Sequence, residues 1–171
     1  MNAPARGILS PMDNRGSHQV RQARTDEAVA VSDLWVRSRL ASIPAIPRPM
    51  HSNDEVRDWF AAVVLPTYEV WVAEAENRLI AVLVLDEDRV DQLYVDPEWF
   101  GRGVGSQLVD HAKQLRPSGL DLWTFQSNER ARRFYERHGF RAQEMTDGDN
   151  EEHAPDVRYL WTNPISASFE H

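Results

Sequence analysis

The chain has 171 residues, 42% of them hydrophobic, no cysteine and a net charge of -8. That length fits one domain with a proper core. The composition excludes disulfides and thiolate catalysis, no apolar run is long enough to span a bilayer, and the acidic balance disfavours a nucleic-acid partner, whose phosphates call for a basic surface.

Residues 1–17 carry Pro, Gly, Asn and Ser without an apolar period and read as a flexible tail. Residues 165–171 read as a second tail, which leaves one domain over 18–164. The start has no apolar core of the kind a secretory signal needs, so a cytoplasmic protein without a membrane partner is expected. His18 to Ala23 predicts a first strand. Thr25 or Asp26 can then cap a helix with Ala28, Val31, Leu34 and Trp35 on one face. Three prolines make Ile43–Pro49 a loop. Ser52-Asn53-Asp54-Glu55 has the spacing of a capping box, and the helix it opens carries Val56, Trp59, Phe60, Val63 and Val64 and is expected to stop at Pro66.

Tyr68 to Ala75 alternates as a strand, Glu76-Asn77 is a turn, Leu79 to Leu85 is a nearly continuous apolar strand, and Val90 to Val95 is a third. A helix follows with Val104, Leu108, Ala112 and Leu115 on one side and Pro117 beyond its end. Leu120 to Phe125 is a strand, and Asn128 to His138 is a helix closed by Gly139. Arg141 to Thr146 and Val157 to Trp161 are two closing strands around an acidic loop. The order βααβββαβαββ predicts an α/β (α+β) layered domain, with helices on both faces of one mixed sheet.

The stretch from Val90 to Leu108 reads as strand, turn, glycine-rich loop and helix, the arrangement that aims several backbone N–H groups and a helix dipole at a phosphate. A Walker loop fails, because no lysine follows Gly103 or Gly105. A dinucleotide fingerprint is weakened: Gly101 and Gly103 match it, but the sixth position is Ser106. The pyrophosphate of coenzyme A is the third option. The acidic loop, Asp147 to Asp156, is no calcium loop, since Glu152 stands at its sixth place and Arg158 at its twelfth. No His pair has zinc spacing, so no metal is expected.

Leu93-Tyr94-Val95-Asp96-Pro97-Glu98-Trp99-Phe100-Gly101-Arg102-Gly103-Val104-Gly105-Ser106 resembles the Q/R-x-x-G-x-G/A motif of the GNAT N-acetyltransferases. Asn128 to Phe140 resembles the second motif of that family, N-x-x-A-x-x-F-Y-x-x-x-G-F. Asp147 to Trp161 resembles actinobacterial-type members. The resemblance implies the GNAT fold: a central, mostly antiparallel sheet of six to seven strands, splayed at the first motif's strand. It also implies acetyl-CoA as cosubstrate. Leu93, Tyr94 and Val95 would pair with its pantetheine arm. Phe100, Gly101, Arg102, Gly103, Val104, Gly105 and Ser106 would hold its pyrophosphate, and Asn128 would touch the arm while also capping a helix. Phe100 departs from the family, which has Gln or Arg there, so Arg102 is left to supply charge.

The implied reaction is direct acetyl transfer to a primary amine of a small molecule or peptide. Tyr135 would serve the departing thiolate as acid; read from periodicity alone it is a core residue. Glu74, Asp91 and Glu152 are the candidate bases, each equally readable as a solvated surface group. Trp71, Trp123 and Phe125 form either an aromatic wall for a cationic acceptor or plain core packing. His51, next to the proline-rich loop, reads either as a contact to substrate or, more commonly, as a lone surface histidine. The acidic loop would select a cationic acceptor if it folds over the cleft. A homodimer through the closing strands is expected by analogy. Other open readings are a non-catalytic acyl-CoA sensor, a protein N-terminal or lysine acetyltransferase, and a nicotinamide-dependent oxidoreductase.

Overall fold

The computed structural model describes residues 17–164; the two expected tails lie outside the described residues, save for Ser17. Strand β1 (Gln19–Gln22) leads through a short 3-10 turn (Thr25–Glu27) into helix α1 (Ala28–Ala41). The expected caps, Thr25 and Asp26, are not used. The Glu27 carboxylate reaches back instead to accept the Arg24 N–H at 2.7 Å, the acid half of a capping box. Ser52 and Glu55 form the predicted box at the start of helix α2 (Asn53–Trp59), with reciprocal bonds of 3.2 and 2.7 Å.

The helical run ends at Thr67, one residue past the expected stop at Pro66. Phe60–Val64 widens into a π-helix, the Leu65 N–H bonds to the Phe60 carbonyl, and α3 (Leu65–Thr67) restarts the chain with Pro66 in its first turn. The wider turn places the missing N–H of proline where an opening helical turn leaves such groups unbonded.

Strands β2 (Glu69–Ala75), β3 (Arg78–Asp86) and β4 (Arg89–Val95) form an antiparallel meander. The β2–β3 turn is Glu76-Asn77, both left-handed at φ 53 and 58, as a two-residue hairpin requires. Helix α4 (Val104–Leu115), β5 (Gly119–Phe125), helix α5 (Glu129–Arg137), β6 (Arg141–Thr146) and β7 (Asp156–Thr162) complete the fold. The seven-stranded sheet has the order β1-β2-β3-β4-β5-β7-β6.

Strand β3 is buried on both faces, which is why its sequence reads as an unbroken apolar run. Its Val82 and Val84 join Val31, Leu34, Phe60 and Val64 in a core under α1 and α2. Its Ala81, Leu83 and Leu85 join Leu108, Ala112, Leu120 and Tyr159 in a second core under α4 and α5.

Two irregularities position the site. Val84 pairs with Gln92 and Leu85 with Val90, so Asp91 bulges from β4 without a β3 partner. Strands β4 and β5 run parallel but bridge only at Arg89 and Asp121, so β4 leaves β5 before it reaches Leu93. The expected splay of the sheet is this parting.

Helix α4 sits close to the freed strand because Gly105 has no side chain; a Cβ there would lie 3.3 Å from the Phe134 ring and 3.6 Å from Val95. Replacing Gly105 by Val is expected to cost about 1–3 kcal/mol through overpacking, roughly 2–12 °C in thermal midpoint, with Ala costing less. Scanning calorimetry measures it; an unchanged midpoint for Val means that α4 is not seated as described.

Candidate active site

The turn after β4 is built by Asp96, whose buried carboxylate accepts the Glu98 N–H at 3.0 Å and binds Arg37 at 3.0 Å. Beyond it Gly101 and Gly103 take left-handed backbone at φ 73 and 83. A Cβ would meet nothing within 4 Å at either position, so glycine is needed there for conformation, and the space in front of the loop is open. Gly103 caps α4 with no side-chain bond. The first closing bond is Gln107 N–H to Gly103 O at 3.0 Å, so the amides of Val104, Gly105 and Ser106 have no partner inside the helix.

A cavity of about 470 Å³ opens at this point. It gathers Leu93 to Val95, Phe100, Gly101, Gly103 to Ser106 and Asn128, all the expected cofactor residues but one. The exception is Arg102, whose guanidinium stacks over Trp99 at 5.0 Å. The charged residues of the lining are Arg130 and Arg137, with no acid, and sequence reasoning missed both. Asn128 caps α5, accepting the Ala131 N–H at 3.2 Å. Ser106 faces His138, Oγ to Nε2 at 3.0 Å, while His138 Nδ1 lies 2.7 Å from the Phe134 carbonyl. A carbonyl only accepts, so Nδ1 carries the proton and, in the neutral ring, Nε2 accepts from Ser106.

Tyr135 also lines this cavity. It is 8% exposed, packed edge-on to Phe134 and Phe140. Burial pushes its phenol well above the ordinary range. Among the described residues its hydroxyl has no hydrogen-bond partner, so the donor is left available to the cavity. Core residue and site residue are here the same thing.

A second cavity, of about 530 Å³, lies between α1, α2, β4 and the acidic loop. Trp35, Trp59 and Tyr68 form its aromatic wall, and Glu55, Asp91, Glu151 and Glu152 make it acidic. Asp91 projects from the bulge, and Gln92 Nε2 donates to it at 3.1 Å while Trp35 Nε1 donates to Gln92 Oε1 at 2.9 Å. Glu151 meets His51 at 2.5 Å, which makes His51 a cavity residue rather than a lone surface one. Arg39 binds Glu152 at 2.9 Å, with side chains 8% and 16% exposed. These two pairs bring the acidic loop over the cavity. Consecutive residues of β4 thus line both cavities: Asp91 and Gln92 the acidic one, Leu93 to Val95 the cationic one.

Four expected residues stand elsewhere. Glu74 lies in neither cavity: Arg21 Nε holds its carboxylate at 2.7 Å, and the same guanidinium binds Glu27 at 2.7 and 2.9 Å. Trp71 is on the α4 face of β2, edge-on to His111 at 4.2 Å. Trp123 is 36% exposed on β5 and Phe125 is half-buried; neither lines either of these two cavities. Strand alternation told which residues share a face, but not that the helices bearing Trp35 and Trp59 would cover the face opposite Trp71. Arg39 follows Trp35 by one helical turn, and that spacing was the available signal for it.

Residues 66–142 match the acetyltransferase (GNAT) domain family. A relative from Salmonella typhimurium, the peptidyl-lysine N-acetyltransferase YjaB, is 28% identical over 134 residues, covering 77% of this chain and 88% of its own. The solution structure of apo YjaB from Escherichia coli superposes with a TM-score of 0.70 at 26% identity, covering 85% of this chain and 97% of its own. The PaiA N-acetyltransferase of Thermoplasma acidophilum, solved in complex with coenzyme A, shares the fold with a TM-score of 0.65 at 15% identity, covering 85% and 99%.

The Arg21 cluster gives a pH test. The hydrogen bond from Arg21 holds the Glu27 carboxyl below its usual 4.5. A depressed folded value stabilises the fold above 4.5, and the gain is lost as pH falls through the folded value. Glu27→Gln is therefore expected to be less stable at neutral pH and to lose less stability on acidification through 4.5. Urea midpoints across that range measure it; parallel curves for the two proteins refute it.

Proposed function

We propose that this chain, whose residues 66–142 match the GNAT domain family, is an N-acetyltransferase that acetylates a cationic primary amine, a lysine side chain above all, using acetyl-CoA. The observation that carries the reading is the pairing of two cavities of opposite charge along one segment of β4. The cationic one suits the phosphates of the donor, and the acidic, aromatic-walled one suits an ammonium on an aliphatic stem. The peptidyl-lysine relatives support the same acceptor.

The residues fit acetyl-CoA. The free edge of Leu93–Val95 is open to an extended arm that pairs as an added strand would. The unbonded amides of Val104, Gly105 and Ser106 suit a pyrophosphate. When bound, acetyl-CoA supplies an acetyl group on a good leaving sulfur. The chain supplies placement and proton handling.

An ammonium is not nucleophilic, so Asp91 takes its proton, directly or through one water. Asp91 is the best-placed carboxylate: Glu74 is outside the cavity, Glu152 is bound by Arg39, and Asp91 lines the acidic cavity on the same strand whose Leu93 to Val95 line the cationic one. Tyr135 serves the other end. With its phenol raised by burial it stays protonated at every working pH and donates a hydrogen bond to the departing sulfur. Of the two protons the ammonium gives up, one ends on the thiol and one in solvent. Holding amine and thioester together in a near-attack geometry accounts for much of the rate. We place the reaction in the cytoplasm, in keeping with the cysteine-free composition; no described helix is long and apolar enough to cross a membrane.

Tyr135→Phe is expected to lower kcat roughly 10–1000-fold with the KM for acetyl-CoA little changed. An unaltered rate leaves Tyr135 as packing only. In a thiol-release assay, lysine-bearing peptides and polyamines are expected to outpace amines flanked by carboxylates, and Glu151→Gln to narrow that preference. No release with any amine sinks the reading.

A further inference from the structure

We propose that Arg130 is a pyrophosphate-binding residue of the cationic cavity, held for that task by the ring of Phe100; the proposal rests on the acetyl-CoA reading above. The loop lacks the polar side chain at position 100 that the family pattern has there. Sequence alone left Arg102 to supply the charge, but Arg102 stacks on Trp99 and takes no part in the lining.

Arg130 reaches the same place from the other side. Its guanidinium carbon sits 4.0 Å from the centre of the Phe100 ring, and both residues line the cavity beside Gly101 and Gly103. A guanidinium stacked by its face keeps its N–H groups along the edges of the plane, free for a bidentate bond to an anion. Phe100 in this position is therefore a platform for a cation rather than the loss of one.

Two further observations point to an anion. Among the described residues Arg130 makes no ion pair, whereas its neighbours do bond: Arg133 with Glu129 at 2.9 Å, and Arg132 with the Tyr159 hydroxyl and the Gln126 carbonyl, both at 3.2 Å. Arg130 also occupies the first turn of α5, where the helix dipole disfavours a positive charge. An uncompensated cation at that end, facing a cavity without a carboxylate, gains most from a phosphate group placed between it and the amides of α4. Arg137 lines the cavity two turns further along α5, away from the Phe100 platform.

Isothermal titration with coenzyme A and with dephospho-coenzyme A, which keeps the pyrophosphate but lacks the 3′-phosphate, tests this. Arg130→Ala is expected to weaken both ligands about 10–100-fold, with the ligand-free thermal midpoint unchanged. Phe100→Ala is expected to weaken both about 2–5-fold through loss of the stack. Phe100→Arg in the Arg130→Ala background is expected to restore most of the affinity. An Arg130→Ala protein that binds coenzyme A like the unaltered chain overturns the proposal alone. So does a penalty seen with coenzyme A but not with dephospho-coenzyme A, since it puts the guanidinium on the 3′-phosphate. An unaltered chain that binds neither ligand overturns the acetyl-CoA reading and this proposal together.

Discussion

Everything at this site depends on the parting of two parallel strands. β4 and β5 meet at Arg89 and Asp121 and then separate. The closed end is fastened by charge: Asp121 takes Arg158 at 2.9 Å and Arg89 at 3.3 Å. The open end exists because a bulge at Asp91 breaks the regular pairing with β3, and because α4, started by a left-handed glycine, fills the space behind the strand. One interruption of a sheet thus produces a free strand edge, a helix N-terminus facing it and a cavity on each side of the same residues.

The protein is acidic as a whole, yet its charge is sorted at the site. The cavity beside the glycine loop holds arginines and no acid; the cavity under the acidic loop holds four carboxylates against Arg39 and His51. Such sorting acts over short distances, since salt screens exposed charges beyond roughly 10 Å. It therefore tells more about what each cavity holds than the net charge of -8 does.

Much of this was legible in the sequence, and the reason is local. Gly101, Gly103 and Asn128 act through backbone conformation and capping, which depend on immediate neighbours. The strands and helices were readable because each apolar period matches one buried face. What was hidden depended on tertiary placement. Trp35 and Trp59 looked like core because they are on core stripes; they are also the wall of a cavity. Trp71 and Trp123 have the right composition for such a wall and stand on parts of the sheet that do not reach it. Glu74 looked free until Arg21, more than fifty positions away, was folded against it. Pro66 marked the end of the helical run to within one residue, but the π turn before it cannot be read from proline alone.

The single bridge between β4 and β5 also leaves the sheet incomplete. A continuous ladder would bond all seven strands edge to edge. Here β1 to β4 form one hydrogen-bonded ladder and β5, β7 and β6 another, bridged at one short seam and sharing the core under α4 and α5. Each ladder carries part of the site: the first bears the glycine loop at the end of β4, the second bears Asn128, Arg130 and Tyr135 on the helix after β5. On the acetyl-CoA reading proposed above, a donor arm paired with Leu93–Val95 would extend by hydrogen bonds a ladder that the sheet itself leaves open.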